Sequence, residues 1–300
     1  MASGTSDLEE WREPPIHRLL SGAQLLSGDH QHNVWQGITH RDQGTGVGIL
    51  TVMKQLPSSI ATATELACAM AGQALRLPVP MGALVIADRD QLMGLPKRAA
   101  HESRQITCFG SYLKWPDETM RRVLQGDAAI EEWTWSQLCN SNHGSPGAAW
   151  DELVANDDRH YQNIVFSGED SWWLIDHESS LEPIAKVYRR WAEQTVRDQL
   201  REFEAKSNTL VSEMMRRRPN DHAIDRQPAS LRGHRERLSW MADQVRNWDS
   251  SNEQLRGTFS IVEIVLRSIH DRLPALEQHL RHRLDDKQQR LTWDFSNPPQ

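Results

Sequence analysis

NDDRHYQNIVFSGEDSWWLIDHESS, running from Asn156 to Ser180, packs aspartates, histidines and asparagines around two short apolar runs. Ile164-Val165-Phe166 and Trp172-Trp173-Leu174-Ile175 have strand composition, and Ser167–Ser171 between them is turn chemistry. The stretch therefore reads as a β-hairpin with one buried face, because Trp172 and Trp173 alternate across it. Folding the hairpin brings Asn163, just before the first strand, beside Asp176, just after the second. An amide oxygen and a carboxylate then converge at one end. Hard oxygen ligands of this kind suit Mg²⁺ held jointly by protein and nucleotide phosphates.

Asp158 lies five residues before Asn163, in the loop that enters the hairpin. Kinase catalytic loops place an aspartate and a metal-binding asparagine at this offset, and a further aspartate after the hairpin takes the metal. The offset works because the loop curls, turning the aspartate to the acceptor hydroxyl and the asparagine to the metal. A lone loop aspartate is ordinarily a turn or cap residue. The combination predicts instead that Asp158 is catalytic and that Asn163 and Asp176 bind metal.

Such a site also needs a strand lysine for the α- and β-phosphates and a helix glutamate to hold it. ILTVMKQL supplies Lys54 at the end of a third strand candidate, Ile49–Met53. ATATELACAM supplies Glu65, eleven positions later, on a helix expected over Ala61–Leu75 that stops at Leu77-Pro78-Val79-Pro80. ITCFGSYL falls where a hinge belongs, so Phe109, Gly110 and Ser111 are expected to line an adenine pocket. The phosphate loop is expected at Ser27–Asn33, with Ser27 and Gly28 as contacts. GTGVG, only six residues before Lys54, reads as a hairpin turn.

The stretch NDDRHYQNIVF…WWLIDHESSL resembles the catalytic core of HipA-like kinases and, more distantly, phosphoinositide kinases, which also carry an Asp-Arg-His loop. HipA-like members tend to carry Ile-Asp-His where protein kinases have Asp-Phe-Gly, and this chain has Ile175-Asp176-His177. With the upstream elements the resemblance spans about Leu25 to Leu181. It implies an α+β, two-lobed, protein-kinase-like fold with an N-terminal antiparallel sheet carrying one helix and a largely helical C-terminal lobe. The expected division is 1–108 as nucleotide-binding lobe, 109–184 as hinge and catalytic core, and 185–300 as helical remainder. The resemblance further implies ATP and Mg²⁺ as cofactors, a serine or threonine hydroxyl on a protein as acceptor, and a regulatory partner protein, since HipA-like proteins often act as toxins neutralised by a partner.

His160 then has two readings, a hydrogen bonder of the loop or a stabiliser of charge on the transferring phosphoryl group. The second reading makes it a second catalytic residue. Asp157 is a solvated neighbour or a second acid near the metal. Arg159 reads as an anchor of the loop, and His177 as a hydrogen bonder behind the metal aspartate. Acceptors on lipids or small molecules stay open, as does a nucleotide-binding pseudokinase acting as an interaction module. A purely helical adaptor would leave the polar hairpin unexplained.

Upstream, Ala23–Leu26 and Val34–Ile38 are strand candidates, and Ala83–Ala87 with Gln91–Met93 reads as a hairpin beside a strand near Ile106–Phe109. This gives a five-strand sheet. Downstream, Trp191, Val196, Leu200 and Phe203 share a helical face, as do Phe259, Val262, Leu266 and Ile269. Leu276, Leu280 and Leu284 continue after a break at Pro274. Arg216–Gln227 reads as a polar loop, the arginines near Arg216 and Arg232–Arg237 as solvated faces, and the last ten residues as a tail.

Composition bounds these readings. The 300 residues carry a net charge of −7 with a pI near 6.0, which argues against nucleic acid as the partner. No apolar run approaches the ~20 residues that span a bilayer. The acidic N-terminus lacks the core of a secretion signal. Three scattered cysteines, Cys68, Cys108 and Cys139, suit a reducing cytoplasm and offer no zinc or disulfide spacing.

Overall fold

Between residues 16 and 112 the chain alternates inward- and outward-facing side chains along six strands. They are β1 (Ile16–Leu19), β2 (Gln24–Leu25), β3 (Val34–Arg41), β4 (Ile49–Lys54), β5 (Gly82–Asp88) and β6 (Gln105–Tyr112). The computed structural model describes residues 6–26, 32–42, 46–95, 103–115, 128–168, 171–182, 184–187, 193–218, 222–248 and 253–285. Strand order is β1-β5-β6-β4-β3-β2, and β1 also pairs with β3, so the sheet closes on itself. All pairings are antiparallel except β1 with β5, which is parallel.

The sheet has six strands where an antiparallel sheet of five is expected, and one of its pairings is parallel. The unforeseen strand is β1, IHRL, which follows Pro14-Pro15 and has a histidine and an arginine among its four residues. It presents no apolar run, and its place is fixed by neighbours on both sides. Gln91–Met93 is a second correction. Arg89–Gln91 forms a short 3-10 turn, Leu92 makes only an isolated bridge to Ala23, and β5 takes β6 as its antiparallel partner. The Gln91 side chain accepts from the Asp88 backbone at 3.1 Å, which favours the turn over a strand.

Leu19, Trp35, Met53, Val85 and Cys108 pack within the closed sheet as a core of their own. Space there is tight. A Cβ at Gly37 would stand 2.8 Å from Leu19, and one at Gly110 would stand 2.5 Å from Val85 and 2.8 Å from Thr51. The same interior holds a polar string of buried residues: His17 Nδ1 meets Thr39 Oγ1 at 3.1 Å, and Thr39 Oγ1 meets Thr51 Oγ1 at 2.8 Å.

The outer face of the sheet packs on α1 (Ser59–Ala74). Ser58 caps its start, accepting from the Ala61 amide at 3.1 Å. The helix is buried almost all round, because α8 (Arg235–Asn247) and α9 (Glu253–Arg272) cover the face turned from the sheet. Its last turn closes with Leu77 N donating to Gly72 O at 2.8 Å, Arg76 at φ 58°, and Arg237 Nε donating to Ala74 O at 2.8 Å. Arg237 is thus buried, whereas the sequence suggested a solvated face.

Among its described residues the second half is helical apart from one hairpin. Its other helices are α2 (Ala128–Asn140), α3 (Gly144–Leu153), α4 (Ile184–Val187), α5 (Glu193–Glu202), α6 (Thr209–Arg217), α7 (Ala223–Arg232) and α10 (276–285). The expected stripes on α9 and α10 are buried, with turn residues at 273–275 between them. Val196 and Leu200 are buried on α5, Phe203 packs partly buried after it, and Trp191 lies outside the described residues. The polar Arg216–Gln227 segment is not all loop, because α7 starts at Ala223 and buries only Ile224, Pro228 and Leu231. So thin a stripe leaves little sequence signal.

Buried Arg272 on α9 joins the ends of two helices. It donates to Leu153 O at 2.5 Å and Glu152 O at 3.0 Å at the end of α3, and to Leu200 O at 2.6 Å in α5. A cation at helix C-termini answers both the orphan carbonyls and the helix dipole. All three cysteines are buried free thiols.

His17 makes the barrel sensitive to acid. Burial, then Arg41 and His40, lower its pKa from 6.5 to about 4. Between those values the unfolded chain binds the extra proton, so this contribution is complete above pH 6.5 and is lost as pH falls towards 4. It amounts to at most about 3 kcal/mol. Urea unfolding between pH 7 and 4 should show a shallower decline for His17→Gln than for the wild type, and parallel declines would refute the assignment.

Candidate active site

The hairpin consists of β7 (Ile164–Phe166) and β8 (Trp172–Leu174), paired Ile164 with Leu174, Val165 with Trp173 and Phe166 with Trp172. Gly168 takes φ 84° in the turn, and Ile175 N donates to Asn163 O at 3.1 Å, carrying the pairing one step further. Asn163 and Asp176 therefore sit at the same end. Asp176 stands at φ 62°, a left-handed backbone uncommon outside glycine that aspartate tolerates better than most residues.

Arg159 braces this end of the hairpin. It is buried, and its guanidinium binds the Asp151 carboxylate of α3 through Nε and Nη2, each at 3.0 Å to one oxygen. Nη1 donates to Asn163 O and Ile175 O, both at 2.6 Å, and Nη2 lies 3.1 Å from His177 Nε2. One side chain thus holds both strands at the open end of the hairpin. Burial pushes the Asp151 carboxyl up, against the pull of Arg159.

The loop before the hairpin is shaped by its own polar groups. Asn156 Oδ1 accepts from Asp158 N at 3.1 Å, and Asn163 Nδ2 donates to Asp158 O at 2.9 Å. The amide nitrogen of Asn163 is committed to the loop, which leaves its oxygen as the atom a cation could take. Asp158 is exposed, and Asp157 beside it is half-buried. His160 is half-buried, edge-on to the Tyr161 ring at 6.3 Å.

Lys54 and Glu65 meet across the sheet–helix boundary. Lys54 Nζ lies 3.6 Å from Glu65 Oε1 and 2.6 Å from Asp176 Oδ2. Burial lowers the Lys54 pKa, but Glu65 and Asp176 more than reverse it, and the net shift is upward. Glu65 is 2% exposed, and burial raises its carboxyl to about 7 despite the neighbouring ammonium. His177 is also buried and is kept neutral, its pKa held well below the usual value by burial, Arg159 and Lys54.

A cleft lies in front of these groups. Val52 and Lys54 of β4 and Phe109 and Ser111 of β6 form one wall, with Val165, Leu174 and Ile175 of the hairpin opposite. Gly110 corrects the sequence reading. It alternates to the inside of the barrel, against Val85 and Thr51, and does not line the cavity. The chain leaves β6 only after Tyr112, so the connecting wall is Leu113 and Lys114, and Lys114 Nζ lies 3.7 Å above the Trp173 ring. Ser27 and Gly28 lie outside the described residues.

Sequence reasoning missed Glu178. Carboxylate oxygens of Glu65, Asp176 and Glu178 lie within 4.8 Å of one another, and Glu178 Oε1 also meets His32 Nε2 at 2.8 Å. The available signal was only its position two residues after Asp176. Three carboxylates stand against one lysine here, and Glu178 Oε2 is buried with no hydrogen-bond partner among the described atoms. This hard, negatively charged oxygen set fits a divalent cation.

No protein-family model matches the chain, and no curated protein matches it in sequence. Among solved structures it is similar to that of a Helicobacter pylori proinflammatory kinase, CtkA, at 10% identity and a TM-score of 0.46, covering 87% of this chain and 96% of that one. So remote a likeness does not bear on what this chain does. No helix among the described residues is long and apolar enough to cross a membrane.

Removing Arg159 should leave Asp151 as an uncompensated buried charge, which costs about 3–5 kcal/mol. Urea denaturation of Arg159→Met should show a loss of this size, with part of it recovered in the Arg159→Met/Asp151→Asn double variant. A loss below about 1 kcal/mol, the range of surface pairs, would remove Arg159 from its organising role.

Proposed function

We propose that the chain is an ATP- and Mg²⁺-dependent kinase that transfers the γ-phosphoryl group to a hydroxyl. The observation that carries this reading is Lys54, held by both Glu65 and Asp176 at a cleft walled by β4, β6 and the hairpin. The Asp158–Asn163 loop is tied to the same hairpin end. Lys54 binds the nucleotide phosphates and Glu65 fixes Lys54. Asn163 and Asp176 would hold magnesium, with the Glu178 carboxylate beside them. When bound, the metal supplies neutralisation of charge on the phosphoryl group.

Asp158 is exposed at the loop, where an acceptor hydroxyl can reach it, and it orients that hydroxyl and takes its proton. His160 flanks the same loop as a second polar group near the transfer. Phe109, Ser111, Leu113 and Lys114 bound the base end of the cavity. A serine or threonine on a protein as acceptor rests on the resemblance of Asp158–Asn163 and Ile175–His177 to HipA-like kinases. The division at 108 and 184, the regulatory partner and the cytoplasmic site of action belong to the same proposal.

Positioning and charge neutralisation dominate phosphoryl transfer, so so few groups suffice. Incubation of the purified protein with γ-labelled ATP and magnesium, followed by mapping of the labelled residue, tests the reading directly. MgATP should raise the thermal midpoint far more than ATP with chelator, by the equivalent of roughly 2.7 kcal/mol at a hundredfold excess over Kd. Asp176→Ala should lose the magnesium-dependent part. Equal shifts with and without metal would sink the metal assignment.

Asp158→Asn separates chemistry from binding. A positioned general base contributes about a hundred- to ten-thousandfold in rate, so this variant should keep its MgATP affinity and lose phosphotransfer on that scale. Asp157→Asn should keep substantial activity. If Asp157→Asn proves dead and Asp158→Asn active, the register of the loop is wrong.

A further inference from the structure

We infer that His177 is the positioning residue of this site: Trp150 and Arg159 lock it with its proton on Nδ1, and in that form it aims Glu65 at Lys54. The inference rests on the kinase reading for its consequence but not for its geometry. Two donors converge on one ring nitrogen. Trp150 Nε1 on α3 donates to His177 Nε2 at 2.9 Å, and Arg159 Nη2, which has only hydrogens to offer, lies 3.1 Å from the same atom. Nε2 is therefore the unprotonated nitrogen, and the proton of the neutral ring is on Nδ1.

Nδ1 lies 3.8 Å from Glu65 Oε2. That is too long for a hydrogen bond, but both residues are 2% exposed and water does not screen the N–H dipole from the carboxylate. The His177 backbone also favours the charged form of Glu65. One residue thus backs the carboxylate from the Oε2 side, leaving Oε1 to face Lys54 Nζ at 3.6 Å. Glutamate has three side-chain torsions, and a carboxylate fixed from behind loses less freedom when it orients the lysine. His177 is also the residue that follows Asp176, so the same ring anchors the left-handed turn.

Two conservative replacements separate the lock from the aim. The amide oxygen of His177→Gln can reach the Nε2 position and satisfy Trp150 and Arg159, but nothing donates from the Nδ1 position. The amide nitrogen of His177→Asn can reach the Nδ1 position and donate to Glu65, but Trp150 and Arg159 lose their acceptor. Gln should therefore keep the thermal midpoint and weaken MgATP binding by about tenfold, as read by titration calorimetry. Asn should melt lower than Gln by about 5 °C or more and lose less MgATP affinity than Gln does. Nitrogen-15 NMR of the wild-type imidazole should show Nδ1 protonated and Nε2 bare.

An Nε2-protonated ring overturns the inference, and so do Gln and Asn variants with the same rank in both measurements. Failure of the kinase reading has a different signature. The wild type would then bind no MgATP, while the tautomer and the order of melting temperatures would stand as stated.

Discussion

The Arg159–Asp151 ion pair is the constraint on which the site depends. Its atoms are buried, and it spends the remaining guanidinium hydrogens on Asn163 O, Ile175 O and His177 Nε2. Burying an ion pair gains little net stability over an apolar pair of the same shape. What this pair gains is geometry. A three-residue strand pair cannot fix its own ends, and the hairpin here opens toward the groups that must converge. Arg159 closes that end from behind, where Asp176 stands at its left-handed backbone angle.

The rest of the fold positions the opposing half of the site by similar means. The lysine strand belongs to a closed barrel whose β1 seam prevents β3 and β4 from splaying. The glutamate helix, α1, is packed between that barrel and α8–α9, with Arg237 bonded to its last turn. One hydrophobic cluster runs from Leu8 and Trp11 through α1 to Leu284, so the helix that carries Glu65 shares its core with the helices at the far end of the chain. Movement of Glu65 relative to the hairpin would have to disturb this core. The polar contacts from Lys54 to Asp151 accordingly join elements that are already rigid.

The parts legible in the sequence were those with local signatures. The hairpin showed because its apolar runs and turn chemistry adjoin, and the α9 and α10 stripes showed because their periodicity is strong. Lys54, Glu65 and Asp176 were found from order and spacing, and the structure brings their charged groups within 3.6 Å or less along the chain Glu65–Lys54–Asp176. What was hidden depended on pairing at a distance. β1 has no apolar run, and only its two neighbours make it a strand. Gly110 was misplaced because a backbone-lined hinge and an inward-facing barrel position look alike without the pairing register. Glu178 was missed because its meaning comes from Glu65, more than a hundred residues earlier.

The charge balance of the site follows from the same geometry. Among the described residues Lys54 is the one ammonium set among Glu65, Asp176 and Glu178, and each carboxylate raises its proton affinity. A lysine held by two partners has surrendered most of its side-chain entropy in advance, and an anion that binds it need not supply that ordering. The cost falls on Glu65, whose burial pushes its carboxyl up to about 7 and weakens its claim on the lysine. A neutral His177 behind Glu65 adds a dipole without adding a competing cation, which is the one kind of support that stabilises the carboxylate without repelling Lys54. The imidazole is therefore suited to this place by its lack of charge, a property that Trp150 and Arg159 impose by pointing two hydrogens at its remaining lone pair.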